Sequence, residues 1–263
     1  MAEEQGGKVR REAGIQGQRW QSMHQGYFSH SAIADPLVEV AAEVIAKDAP
    51  DVVADLGGGT GVVLRQLLQR RGDRPVRLVN VDLSARQLAE CRDSGIEVLN
   101  ASALQVRRED LRLAGGRLMF LMRSLLHYFG REGLRPALSH LRKEMIPGEL
   151  FLHQTVCFAE ERDADCANRL YQTMRTGKWF PTTDGLSVAL RSTGWEVCEV
   201  RYAPPLALES AELMERYQLT PHDVAAIRDD LVKRFGAAPG VLLPRPDGFI
   251  AWLHYAIFIC RAT

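Results

Sequence analysis

The sequence predicts an α/β fold in which a mostly parallel sheet is covered by helices on both faces. Three observations carry this expectation. From Asp51 onward, short apolar runs alternate with amphipathic helical patterns. The first of those runs ends in an acid and a glycine-rich turn, "DLGGGTG", that opens a helix. The chain has 263 residues, of which 46% are hydrophobic and 25% charged, so it can bury the full core that such a sheet needs.

The elements follow in order. Residues up to about Ile15 are polar and are expected to fray. "DPLVEVAAEVIAKDA" reads as a helix with Asp35 as its cap and Pro36 in its first position. Leu37, Val40, Ala41, Val44 and Ile45 form its apolar stripe. "DVVADLG" is a buried strand and "VVLRQLLQRRG" a helix. "VRLVNVD" is the second strand, followed by a helix with Ser84 as cap and Gly95 as stop. "IEVLNAS", "GRLMFLMRSLLHYF" and "ELFLHQTVCF" supply three more strands, with the helix "REGLRPALSHLRKEMIPG" before the last of them. Crossovers of this length imply right-handed βαβ units. The rhythm breaks after Ala159. "DADCANRLYQTMRTGKWF" reads as a helix and an aromatic loop, and "TTDGLSVALRSTGWEVCEVRYA" returns to helix and strand. Pro204-Pro205 opens a segment with two helical patterns, the second capped by Thr220 with Asp223. "GFIAWLHYAIFICRA" is a seventh, terminal strand. The expected organisation is an N-terminal helical lid over 1–50, a core over 51–202, a helical insertion over 203–248 and a final core strand over 249–263.

Charge and cysteine content narrow the function. Thirty-three Lys and Arg balance thirty-three Asp and Glu, so no nucleic-acid partner is expected. Five cysteines form no C-x-x-C pair, which argues against a zinc site or a disulfide framework and for a reducing, cytoplasmic setting. No apolar run is long enough to span a membrane, and the N-terminus lacks a signal core.

The glycine turn admits three readings. A dinucleotide fingerprint would need glycine at position 62, where Val62 stands. A phosphate loop would need Gly-Lys-Ser/Thr, which is absent. The acid-x-Gly-x-Gly-x-Gly pattern is met by Asp55, Gly57, Gly59 and Gly61, and a second acid, Asp82, ends the next strand about twenty residues on. On these residues the chain resembles the class I S-adenosylmethionine-dependent methyltransferases, well over about Asp51 to Thr155 and more loosely in the last strands. The resemblance implies a Rossmann-like, seven-stranded, mostly parallel sheet with an antiparallel last strand. It implies S-adenosyl-L-methionine as cofactor and S-adenosyl-L-homocysteine as product. Asp55 would lie near the methionine end, with Gly57, Gly59 and Gly61 allowing close backbone approach. Asp82 would accept the ribose hydroxyls beside Leu83. Ser102 stands where many members carry an acid toward the adenine, and Ala103 offers a backbone N–H to the ring. Arg123 would line the cofactor pocket or make a salt bridge.

Methyl transfer depends chiefly on orientation, and a base is needed only where the acceptor must lose a proton. His127, in "FLMRSLLHYFG" just past the fourth strand, is the candidate base, since small-molecule O-methyltransferases carry a histidine in a similar context. Its bland alternative is packing. His153 and Gln154, on the fifth strand, are candidate substrate contacts or a hydrogen-bonded strand-end pair. Tyr27 and Phe28 are candidates for an N-terminal lid, and Trp179 and Phe180 for the wall of a flat substrate site. Tyr217 and Arg216 lie in the insertion, which is expected to cover the substrate or to form a homodimer contact. A small organic acceptor is therefore expected, with oxygen slightly favoured. The rivals are an RNA or protein methyltransferase, against which the missing Asn-Pro-Pro-aromatic motif counts, and a member that binds the cofactor without transferring methyl.

Overall fold

The computed structural model describes residues 31–70, 75–91, 95–113 and 115–263. Tyr27 and Phe28 lie outside them. The described chain forms one sheet in the order β3-β2-β1-β4-β5-β8-β6. Its strands are β1 (Val52–Leu56), β2 (Arg77–Asp82), β3 (Glu97–Asn100), β4 (Leu118–Arg123), β5 (Leu150–Val156), β6 (Trp195–Glu209), β7 (Leu242–Arg245) and β8 (Gly248–Ala262). The first five pair in parallel. The terminal β8 runs antiparallel between β5 and β6. This is the Rossmann-like arrangement expected, with an eighth, short strand added.

The two faces follow from strand alternation. Val53, Met119, Leu121, Leu152 and Ile257 face α1 (Ser31–Asp48) and α2 (Val62–Arg70) in one buried cluster. Ala54, Leu56, Phe120, Met122, Phe151 and Phe258 face α4 (Gly130–Lys143) and α6 (Thr183–Arg191) in the other. The short α3 (Ala85–Ala89) starts on Ser84, whose hydroxyl accepts the Gln87 N–H at 3.3 Å, as expected.

The first helix departs from expectation. It begins at Ser31, so Pro36 is internal and Asp35 is not its cap. Asp35 instead pairs with Arg70 Nη2 at 2.7 Å, tying α1 to α2. A proline in the second turn removes one main-chain hydrogen bond but leaves the buried stripe of Leu37, Val40, Ala41, Val44 and Ile45 intact.

The insertion also differs. Strand β6 does not stop at the prolines. It continues to Glu209, with a register shift between Ala203 and Leu206 that accommodates Pro204 and Pro205. The overlong β6 and β8 then form a platform for α5 (Glu161–Thr173), α7 (Ser210–Tyr217) and α8 (Pro221–Phe235). Leu208, Leu213, Ile227, Phe249 and Tyr255 belong to this separate buried cluster. β7 is a hairpin arm of the same region. Arg245 pairs with Gly248, so Pro246-Asp247 forms a two-residue turn. The capping pair of α8 is as expected: Thr220 N–H donates to Asp223 Oδ2 at 2.8 Å, and Asp223 N–H donates to Thr220 Oγ1 at 3.2 Å.

Candidate active site

Gly57, Gly59 and Gly61 all have positive φ, at 73°, 57° and 76°. Their backbone is one that other residues rarely adopt. Gly58 is required for a different reason. A Cβ there would meet Asp55 Oδ2 at 2.5 Å and would collide with Asn80 Oδ1. The loop is therefore folded tightly over two side chains at the ends of β1 and β2.

Those side chains fix its shape. Asn80 is fully buried and its Nδ2 donates to Gly59 O at 2.9 Å. Asp82 accepts Gly59 N–H on Oδ2 at 2.9 Å and Ser84 N–H on Oδ1 at 2.7 Å. Each carboxylate oxygen of Asp82 thus takes one backbone donor and keeps lone-pair capacity for another. Burial raises the Asp82 carboxyl, and these two hydrogen bonds oppose the rise.

Asp55 is 1% exposed, and neither of its oxygens has a hydrogen-bond partner. Burial pushes its carboxyl from the usual 3.8 to about 7, with Arg123 pulling it down and Asp82 pushing it up. A buried, unsatisfied carboxylate is costly unless a ligand completes it. This one sits beneath a glycine loop, where a cation would complete it.

The next segment closes over the loop from β4. Leu125 lies so near Gly57 that a Cβ there would meet Leu125 Cδ2 at 2.9 Å. Arg123 Nε donates to Gln154 Oε1 at 3.0 Å, so these two expected site residues meet across the β4–β5 register. Between Arg123 and Leu125 stands Ser124, buried, with φ 55° and an Oγ without a partner. Such a conformation in a non-glycine residue marks stored strain, here at a strand end beside the glycine loop.

His127 is buried in a short 3-10 turn, Leu126–Phe129, and its Nδ1 has no partner. Burial holds its imidazole well below the usual 6.5, and the nearby Lys178 and Arg216 charges add to that. It is a neutral ring of weakened basicity. Its carbonyl accepts the Trp179 N–H at 3.1 Å, and its ring lies 5.4 Å from Phe180. The structure thus brings His127, Trp179 and Phe180 together, and Tyr217 joins them through Lys178, whose Nζ donates to Tyr217 Oη at 2.9 Å.

His153 goes elsewhere. Its place on the strand led us to expect a substrate contact or a hydrogen-bonded strand-end pair, but it is fully buried within the sheet's aromatic layer. It stacks on Phe258 at 5.0 Å and lies 4.6 Å from Phe151, with neither ring nitrogen bonded. Burial lowers it from 6.5 to about 3. Its position on the face toward α4 and α6, set by the strand period, takes it into the core. Ser102 is half-buried, and its Oγ accepts Leu104 N–H at 3.2 Å. Ala103 is buried, whereas Leu83 is 48% exposed beside Asp82.

Asn80, Ser124 and Lys178, which lie beside these residues, are not among those singled out from the sequence. An asparagine inside an apolar strand signalled the first. Neither of the others carries a local signal. A shallow groove between α8 and the β7–β8 turn is lined by Arg228, Lys233, Arg245 and Pro246, and none of the residues above borders it.

Residues 53–148 match a methyltransferase domain family. No curated protein sequence matches the chain. Solved structures do share its fold. A proposed methyltransferase of Bacillus halodurans C-125 is similar at a TM-score of 0.65 and 14% identity, over 88% of this chain and 98% of the other. A Burkholderia thailandensis 1,6-didemethyltoxoflavin-N1-methyltransferase, solved with 1,6-didemethyltoxoflavin and S-adenosylhomocysteine, is similar at 0.55 and 15%, over 97% and 90%. The cyclase SpnF is similar at 0.54 and 16%, over 87% and 81%. No helix among the described residues is long and apolar enough to cross a membrane. With its glycine loop, its two strand-end acids and the sheet order that presents them, the chain carries a methyltransferase domain over residues 53–148.

Proposed function

We propose that this protein methylates a small organic molecule, with oxygen as the favoured acceptor atom. The observation that carries the reading is Asp55, a buried carboxylate with both oxygens unpartnered under a loop whose glycines, at positive φ, turn the main chain sharply over it. S-adenosylmethionine, when bound, supplies a methyl group on a sulfonium and leaves as S-adenosylhomocysteine. Asp55 offsets the positive charge of the amino-acid end. Asp82, held rigid by Gly59 and Ser84, accepts the ribose hydroxyls. Leu83 covers one face of the adenine, while Ser102 and the Ala103 N–H meet its edge. Arg123, oriented by Gln154, sets the charge at Asp55 and keeps it ionised in the complex.

His127 takes the proton of an acceptor hydroxyl. Its unpartnered Nδ1 supports that role, as does its place beyond Leu125, which roofs the loop. The insertion covers the acceptor. Support comes from Tyr217 of α7 reaching Lys178 and from Arg169 of α5 pairing with Asp230 of α8 at 2.7 Å, which hold the insertion against the core. All five cysteines are free, consistent with a cytoplasmic setting.

Calorimetry tests the cofactor assignment. Wild type is expected to bind S-adenosylmethionine and S-adenosylhomocysteine, and Asp82→Ala to bind both about ten- to a hundredfold more weakly, the worth of hydrogen bonds to a charged acceptor. Unchanged affinity in the variant would overturn the ribose role. A wild type that binds neither would overturn the proposal.

A further inference from the structure

Lys178 is 8% exposed, yet it lies in an apolar, aromatic setting. Its Nζ stands 4.7 Å from the Tyr128 ring centre, 5.4 Å from that of Tyr171 and 5.6 Å from that of Tyr217. The same ammonium donates to Tyr217 Oη. Because that oxygen accepts from Lys178, its own proton is directed elsewhere and is made a stronger donor. Arg216, one residue before Tyr217, places its guanidinium 5.2 Å from the Tyr217 ring. Both cations act on the His127 ring. Four separate stretches of chain supply these groups: the 3-10 turn after β4, α5, the loop before α6, and α7 of the insertion. Such convergence is not a consequence of local folding.

The location ties the cluster to the glycine loop. Leu125 roofs Gly57, His127 follows two residues later, and its carbonyl anchors the loop that carries Lys178 and Trp179. Tyrosine faces hold the ammonium by cation–π attraction, worth more where water is excluded. They also keep it from relaxing into solvent. An ammonium, a guanidinium and a polarised phenol O–H are three donors suited to one oxyanion. The rings of Tyr128 and Trp179 would border a flat ligand.

We infer that the acceptor is an acidic, planar molecule whose carboxylate, phenolate or enolate oxygen is held by Lys178, Arg216 and Tyr217. The inference rests on the methyl-transfer reading and names the substrate class for that site. Lys178 and Tyr217 are binding and specificity residues here, distinct from the groups that hold the cofactor.

Ligand-observed NMR with benzoate and 4-hydroxybenzoate, each against its neutral amide, tests it on the full chain. The acids are expected to bind S-adenosylhomocysteine-loaded wild type and the amides to bind at least about tenfold more weakly. Lys178→Met is expected to lose that preference, and Lys178→Arg to keep most of it. Tyr217→Phe, with unchanged charge, should weaken the acids severalfold. Affinity for S-adenosylhomocysteine, measured by calorimetry on each variant, should stay near wild type and shows that the variants are folded. Equal uptake of acid and amide, no uptake of either, or an acid preference that survives Lys178→Met would overturn the inference. Failure of wild type to bind S-adenosylhomocysteine would instead overturn the methyl-transfer reading, because the acid–amide contrast can also be read without it.

Discussion

Asp55 shows how a single buried, unpartnered side chain can cost a fold stability. Its carboxyl rises from 3.8 to about 7 in the fold, so the native state holds a proton that the unfolded chain has lost. Stability therefore falls as pH rises between those two values and stays low above them. Asp55→Asn should remove that loss. The variant without cofactor is expected to gain with rising pH across that window, by at most about 4 kcal/mol, while losing affinity for S-adenosylmethionine. Urea melts at pH 4.5 and 8 check the first part; a pH-independent difference would refute it. His153 works in the opposite direction. Its folded value of about 3 lies below the usual 6.5, so its contribution is intact above 6.5 and is lost as pH falls toward 3. His153→Phe keeps a ring between Phe151 and Phe258 and should make the protein relatively more acid-resistant, by up to about 5 kcal/mol near pH 3. Parallel pH–stability curves for the two proteins would show that the ring is not held neutral. The residue types at both positions are plain in the sequence. Their states are not, because each depends on what the sheet packs around it.

At the level of elements, the glycine loop separates two requirements that look alike in the sequence. Gly57, Gly59 and Gly61 answer to backbone angle, and Gly57 and Gly61 also to space, because Leu125 and Cys91 occupy the places of their Cβ atoms. Gly58 answers to space, since Asp55 and Asn80 occupy the place of its Cβ. Gly58→Ala should therefore cost about 1 to 3 kcal/mol through overpacking and disturb the Asn80 and Asp82 bonds that shape the glycine loop. Gly240→Ala, with nothing within 4 Å of its Cβ, should be near neutral. Thermal melts of the pair, with S-adenosylhomocysteine titrations, decide the matter; equal effects would remove the spatial argument. Much at this scale was legible. Ser84, Thr220 with Asp223, and the apolar stripe of α1 depend on neighbours a few residues away. The β7–β8 hairpin was not anticipated, because 203–248 reads as a helical insertion. The start of α1 was misjudged because Pro36 and Asp35 make a good local cap, and packing of the stripe outweighed it.

For the whole molecule, a buried ion pair joins the crossover after β3 to the start of β5. Glu149, 1% exposed, accepts from Arg108 Nη1 at 2.6 Å and Nη2 at 2.8 Å, and from the N–H groups of Leu118 at 2.7 Å and Ile146 at 2.9 Å. Removing one partner strands the others, so Glu149→Ala should cost about 3 to 5 kcal/mol. Denaturant unfolding reads this directly, and a loss below about 1 kcal/mol would mean that water replaces the carboxylate. The second long-range feature is the extension of β6 and β8 beyond the main sheet. It gives the insertion its own buried cluster and brings α7 back to the loop that carries Lys178.

The parallel sheet, the glycine loop and the two strand-end acids could be read from the sequence because each is written in a short stretch. Alternating apolar periods, a run of glycines and an acid at a strand end need no partner from elsewhere to be recognised. The tertiary structure alone decided that His153 is stacked on Phe258 in the core while His127 packs near Phe180, because one residue's register on a strand selects the face. It also decided that Lys178, Tyr128, Tyr171 and Tyr217 surround one point. Those residues come from separate elements, and only the packing of the insertion against the sheet brings them within reach of one another.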